Sequence, residues 1–180
     1  MYIFICVLAL IIIYLIVLYN VALSKKNKML KAYSSLDVML KKRYDLIPNI
    51  VNAVKGYKEY EAETLTSIIA LRKKADEDKT TQDLNDTANM YSSFIKDINI
   101  LREQYPDLKA SENFMHLQKT LNELEEQISA ARRTYNAHVE SFNTFIAFIP
   151  NNIFAPIFGF KLYDFFEATD EEREKVEVNI

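Results

Sequence analysis

The run FMHLQKTLNELEEQISAARRTYNAHVESFNTFIAFI, Phe114–Ile149, carries an apolar or aromatic residue at every seventh position: Phe114, Leu121, Ile128, Tyr135, Phe142 and Ile149. An offset set follows at Leu117, Leu124, Ala131, His138 and Phe145. This repeat describes one long helix with a packing seam. A stripe that narrow is not stable alone in water and must be covered by other helices. Three further seams supply the cover. One passes through Met29, Tyr33, Leu36, Leu40 and Ile47, a second through Ile50, Val54, Tyr57, Ile68, Leu71 and Ala75, and a third through Ala88, Tyr91, Ile95, Ile98, Leu101 and Tyr105. Gly56 and Gly159 are the only glycines, and Pro48, Pro106, Pro150 and Pro156 the only prolines, so helix breakers are scarce and we expect an all-α chain.

Turn chemistry marks the breaks. Pro48 in Asp45–Asn49 is placed to kink or end one helix and start the next. Residues 76–83 form a charged linker, with Thr80 and Asp83 as a weak capping box. Tyr105-Pro106-Asp107 reads as a tight turn with Asp107 as N-cap. The fold expected is an up-and-down antiparallel four-helix bundle spanning residues 24–149, with long helices of roughly 23, 27, 24 and 40 residues. The alternative is three long helices, the first kinked at Pro48. Arg43 and Glu61 fall on packing stripes, where a charge needs a partner. In the bundle register Arg43 lies level with Glu112, and Arg132 and Arg133 approach Asp76–Asp78, so these charges form a candidate structural network. The competing reading keeps the charged heads in water at the seam edge. Asn136 and Asn143 share one flank and either contact a partner or face solvent.

Upstream of the seams, no residue before Lys25 has a charged side chain, and thirteen Ile, Leu, Val or Phe residues lie between Tyr2 and Tyr19. At roughly −0.3 to −0.6 kcal/mol each they favour insertion by about 4 to 8 kcal/mol. Residues 1–23 therefore read as a transmembrane anchor, long enough for a hydrocarbon layer of ~30 Å. A secretory signal peptide is the competing reading, but Ala22-Leu23-Ser24 is a poor cleavage site and no basic n-region precedes the core. Lys25, Lys26, Lys28 and Lys31 follow the span and are candidate lipid contacts. They place the amino terminus outside and the remainder in the cytoplasm by the positive-inside rule.

Residues 150–180 change character. Ile153, Phe154, Ile157, Phe158 and Phe160 lack the heptad, and either pack over the bundle end or sit at the membrane interface. Thr169 and Glu172 open a short acidic helix.

Chemistry-bearing motifs are scarce. Two isolated glycines make no phosphate cradle. His116 and His138 are 22 positions apart without a metal-binding motif, and His138 on the seam reads as a core histidine. No serine sits in a nucleophile elbow. Cys6, the only cysteine, lies in the apolar span, so no intrachain disulfide forms. A net charge of −3 with interspersed signs leaves no basic stripe for nucleic acid. No catalytic residue, cofactor or metal is expected.

The runs Leu36-Asp37-Val38-Met39-Leu40-Lys41-Lys42-Arg43-Tyr44-Asp45-Leu46-Ile47-Pro48-Asn49-Ile50-Val51, Val54-Lys55-Gly56-Tyr57, Tyr105-Pro106-Asp107-Leu108-Lys109-Ala110 and Ala131-Arg132-Arg133-Thr134-Tyr135-Asn136 resemble the LemA family. So do Tyr19-Asn20, Phe142-Asn143, Ile149-Pro150 and Phe158-Gly159-Phe160, in the family's order along essentially the whole chain. The resemblance implies a bacterial protein with one amino-terminal membrane helix and a cytoplasmic helical bundle, of unsettled molecular function, with some magnetosome-membrane relatives. Tyr60 departs from the histidine often found there, so no role for that histidine transfers. The expected function is a membrane-tethered, non-enzymatic interaction or scaffold protein. Its partners would be unidentified membrane or cytoplasmic proteins or a second copy, contacted through Tyr57, Tyr60, Phe154, Phe158 and Phe160. A membrane-shaping or anionic-lipid-binding protein is the alternative, and a bundle-metal enzyme the weaker one.

Overall fold

A computed structural model describes residues 1–54 and 81–167, and every regular element among them is a helix. They are α1 (Tyr2–Asp45), α2 (Ile47–Val54), α3 (Thr81–Gln104), α4 (Pro106–Ala110), α5 (Glu112–Ala147) and α6 (Asn151–Phe154). The chain divides into two units, Met1–Leu36 with Ala131–Phe165, and Asp37–Ala130 with Phe166–Ile180.

α1 is 44 residues long, so the apolar segment continues into the lysine-bearing stretch without a linker. Leu46 alone separates α1 from α2, and backbone bonds bridge the gap from Leu46 N to Arg43 O, Asn49 N to Leu46 O and Ile50 N to Leu46 O. Pro48 lacks the N–H that the preceding turn would accept, and the helix loses one step rather than ending. The α2 face then buries Ile47, Ile50, Val51 and Val54.

Pro106 sits at the first position of α4, where its fixed φ suits a helix start, and extended Ser111 ends that single turn. The long helix therefore begins at Glu112, and Asp107 is not its cap. The α5 seam also differs from the strict heptad. Phe114, Leu124, Ile128, Tyr135, Val139, Phe142 and Ile146 are buried, while Leu117, Leu121, Ala131, His138 and Phe145 are only half-buried and Ile149 is 82 % exposed. A straight helix drifts ~20° per heptad against a 3.5-residue repeat, enough to move the seam from 138 to 139 and from 145 to 146.

In the first unit, Ala22 of α1, Phe142 and Ile146 of α5, and Ala155 and Phe160 beyond α6 form a core, with Phe145 and Tyr163 against it. Gly159 turns the chain at φ +74°, a left-handed conformation that glycine adopts freely. In the second unit Tyr44, Leu84, Thr87, Ala88, Tyr91, Phe94, Ile98 and Leu108 are buried. Residues 76–80 of the expected linker, Glu61 and the helix from Thr169 lie outside the described residues, while residues 81–83, expected in that linker, are already the first turn of α3.

Candidate functional site

Two arrangements carry the polar and aromatic chemistry, one in each unit. In the second, Arg43 is 4 % exposed near the end of α1. Its Nη1 donates to both Glu125 carboxylate oxygens at 3.3 Å, and Nη2 donates to the Tyr44 hydroxyl at 3.3 Å. The guanidinium carbon stands 4.1 Å from the Tyr91 ring centroid and 5.2 Å from that of Tyr44, and the two rings themselves meet edge-on at 5.9 Å, so the charge lies against both. One nitrogen serving both oxygens is not the parallel fork of the strongest arginine pairs. Nε has no acceptor among the described residues. Burial opposes the Arg43 charge, but Tyr44, Glu125 and Tyr91 outweigh it and hold the guanidinium above its ordinary value. Burial raises the Tyr91 phenol well above the tyrosine range, with Arg43 opposing and Glu125 reinforcing. The result is a structural clasp with both charges committed to each other.

The expected pairing of Arg43 with Glu112 is therefore corrected to Glu125, while Glu112 is exposed at the start of α5. The shift is 13 positions, about 20 Å of helix. The expectation turned the chain back at Pro48, whereas it stays helical through Val54. Arg132 is half-buried and Arg133 exposed, and Asp76–Asp78 lie outside the described residues.

In the first unit the chain after α5 folds back on α1. The Tyr14 hydroxyl donates to Asn151 Oδ1 at 2.6 Å, and Asn151 Nδ2 donates to Phe145 O at 2.8 Å. Tyr14 meets Phe154 edge-on at 6.3 Å, and Tyr19 meets Phe158 at 5.5 Å and Phe160 at 5.8 Å. Phe142 packs edge-on against Phe160 and Tyr163 at 6.0 and 5.6 Å. Asn143 clamps the returning segment, its Nδ2 donating to Tyr163 O at 2.8 Å and its Oδ1 accepting from Tyr163 N at 3.0 Å. That reciprocal pair replaces the backbone ladder this irregular segment lacks. Asn143 therefore neither faces solvent nor waits for a partner.

Phe160 is buried in this cluster, Phe154 half-buried and Phe158 exposed on one side, so Phe158 is the most available of the three candidate contacts. Tyr57 and Tyr60 lie outside the described residues. Lys25 donates to Ser141 Oγ at 2.7 Å and lies 5.7 Å from the Phe145 ring, and Lys26 lies 6.0 Å from that of Tyr163. Lys28 and Lys31 are exposed. The sequence reading missed the docking of Tyr14 and Tyr19, although two tyrosines interrupting an aliphatic run were its available signal. Among the described residues no group of three or more His, Cys, Asp and Glu is placed to hold a metal ion.

The LemA family pattern matches residues 32–180, which include both the Arg43 clasp and the folded-back segment. The chain belongs to the LemA family. Protein LemA of Metamycoplasma hominis is 29 % identical over 163 residues, covering 89 % of this chain and 74 % of that protein. Magnetosome protein MamQ 2 of Paramagnetospirillum magneticum is 35 % identical over 65 residues, covering 36 % of this chain and 24 % of that protein. Magnetosome protein MamQ of Magnetospirillum gryphiswaldense is 31 % identical over 64 residues, again covering 24 % of that protein. One described helix, running from Tyr2, is long and apolar enough to cross a membrane.

Proposed function

We propose that this LemA-family chain is a single-pass protein of the bacterial cytoplasmic membrane, anchored by residues 1–23, that recognises other proteins rather than transforming a substrate. The observation that carries this reading is the unbroken course of α1 from Tyr2 to Asp45. Its first part exposes Ile3, Phe4, Val7, Leu8, Leu10, Ile11 and Ile12, as a lipid-facing helix does, and its last part carries the buried Leu36, Leu40 and Arg43. Attachment at a membrane surface suits a scaffold. Confinement to a surface also raises the effective concentration of any partner there.

The lysines following the apolar run favour an amino terminus outside and the bulk of the chain after them in the cytoplasm. The one-residue interruption at Leu46 favours three long rods, the first kinked at Pro48, over four separate helices. Contact residues in this reading are Tyr57 and Tyr60, joined by the exposed apolar Val38, Met90, Ile100 and Met115 of the second unit. A second reading, lipid binding or membrane shaping, is favoured by the exposed Phe148, Ile149, Ile153, Ile157 and Leu162.

Photo-crosslinking groups at Tyr57, Tyr60, Met90, Ile100 and Met115 of the full chain in bacterial membranes test the main reading. It expects discrete protein adducts, including one of doubled mass if a second copy is the partner. Adducts to lipid alone at these positions would transfer support to the second reading, and an absence of adducts would end the first. A reporter after Ile180 that is active only outside the cytoplasm would contradict the orientation.

A further inference from the structure

We propose that residues 141–160 form a re-entrant turn that enters the hydrocarbon of the leaflet nearest Lys25 and Lys26, with lipid acyl chains covering its outer face. The proposal rests on the reading that α1 crosses the bilayer. Its first support is charge. From Ser141 to Phe160 there is no charged side chain, and Glu140 and Lys161 close the stretch at both ends. α1 has the same property from Tyr2 to Ser24, ending at Lys25 and Lys26.

The two uncharged stretches are in register. Lys25 donates to Ser141 Oγ at 2.7 Å and Lys26 lies 6.0 Å from the Tyr163 ring, so the lysines meet both arms of the turn where their charges begin. At the other end Tyr14 binds Asn151 at 2.6 Å and meets Phe154 at 6.3 Å. From Lys25 back to Tyr14 the helix rises about 16 Å. The tip of the turn thus lies about half a bilayer core away from the lysines, on the side towards the anchor's start.

The outer face suits that depth. Ile149, Ile153 and Ile157 are 82, 60 and 75 % exposed, as are the aliphatic side chains along the first turns of α1. The backbone goes most of the way too: irregular chain in hydrocarbon is tolerated only where its polar groups are satisfied within the protein, and most of the amides from Phe148 to Phe160 donate inside the turn. Here Asn152 N donates to Phe148 O, Ile153 N to Pro150 O, Ala155 N to Asn151 O, Phe158 N to Phe154 O, Gly159 N to Pro156 O and Phe160 N to Ala155 O, at 2.8 to 3.2 Å. Pro150 and Pro156 have no N–H to satisfy. Asn151 uses both ends of its amide, on Tyr14 and on Phe145 O. Asn152 is exposed but neutral, and far less costly at depth than a charge.

The test uses the full chain with Cys6→Ser, reconstituted in phosphatidylcholine vesicles, carrying an environment-sensitive fluorophore at Ile153→Cys or Ile157→Cys. Ile12→Cys reports the anchor, and Asn113→Cys reports an exposed site on α5. Nitroxides on lipid acyl chains are expected to quench the two turn positions several-fold more than headgroup nitroxides do, as at Ile12→Cys, while aqueous iodide quenches only Asn113→Cys. Iodide quenching at both turn positions, or quenching by headgroup nitroxides alone, would overturn the proposal and leave the anchor standing. Insensitivity to every quencher would also overturn it, because a second copy or another protein would then be the cover. Iodide access at Ile12→Cys would instead remove the anchor reading itself.

Discussion

Arg43 is the residue at which charge and packing meet most sharply. A buried guanidinium is costly unless paired, and its partner Glu125 is 46 % exposed, so water screens part of the attraction. Replacing Glu125 by Gln leaves the positive charge in place and is expected to cost about 1 to 2 kcal/mol, below the ~3 to 5 kcal/mol for breaking a fully buried pair. Arg43→Met removes the charge, keeps the stem and is expected to be near neutral, whereas Arg43→Lys loses the guanidinium contact over the Tyr91 ring and falls by about 1 to 2 kcal/mol. Thermal melting of the detergent-solubilised chain, followed by helical circular dichroism, checks this order. Tyr91 supplies a pH signature. Its folded pKa is raised above the unfolded value, so its contribution is fully present below about pH 10 and is lost as pH rises towards the folded value. The wild-type chain should therefore lose stability from about pH 10 upward more steeply than Tyr91→Phe, which keeps the ring over Arg43 but has no proton to release. Identical alkaline melting profiles would contradict the assigned cause.

Among the elements, α5 shows what sequence periodicity does and does not convey. Phe114, Leu124, Ile128, Tyr135 and Phe142 were legible as seam residues because apolar spacing reports the side of a helix directly. Val139 and Ile146 were not, because a seven-residue count carries no information about accumulated drift. The difference is testable. Val139→Ala, at a fully buried site, is expected to cost about 1 to 3 kcal/mol, while His138→Ala on the half-buried flank stays within about 1 kcal/mol. The strict heptad would reverse that order. The Arg43 clasp was half legible for a related reason. A charge on a seam announces a need for a partner, but Glu125 could be chosen only with the helix register, and register depended on whether Pro48 ended a helix or merely interrupted it. The Asn143 clamp left no signal in periodicity, since both of its bonds go to the backbone of Tyr163.

For the whole molecule, the consequence concerns what residues 1–23 cover in the unit to which they belong. Tyr14, Tyr19 and Ala22 pack on Phe154, Phe158 and Phe160 or on the core that contains Phe160, so the apolar amino-terminal segment is also a wall of that unit. A passive tether could be removed without uncovering anything. Here removal uncovers the sides of Phe154, Phe158 and Phe160 that Tyr14 and Tyr19 cover, adding aromatic surface to the already exposed Ile153 and Ile157 in the manner of an association-prone apolar patch. A fragment of residues 24–180 is therefore expected to self-associate without detergent and to bind a hydrophobic dye several-fold more strongly than a fragment of the same length carrying Phe154→Ser and Phe158→Ser. Light scattering and dye fluorescence at matched concentration measure both effects, with circular dichroism confirming equal helix content. A dispersed 24–180 monomer with dye binding no greater than that of the double variant would mean that the segment after α5 holds together without Tyr14 and Tyr19, and that α1 contributes attachment alone.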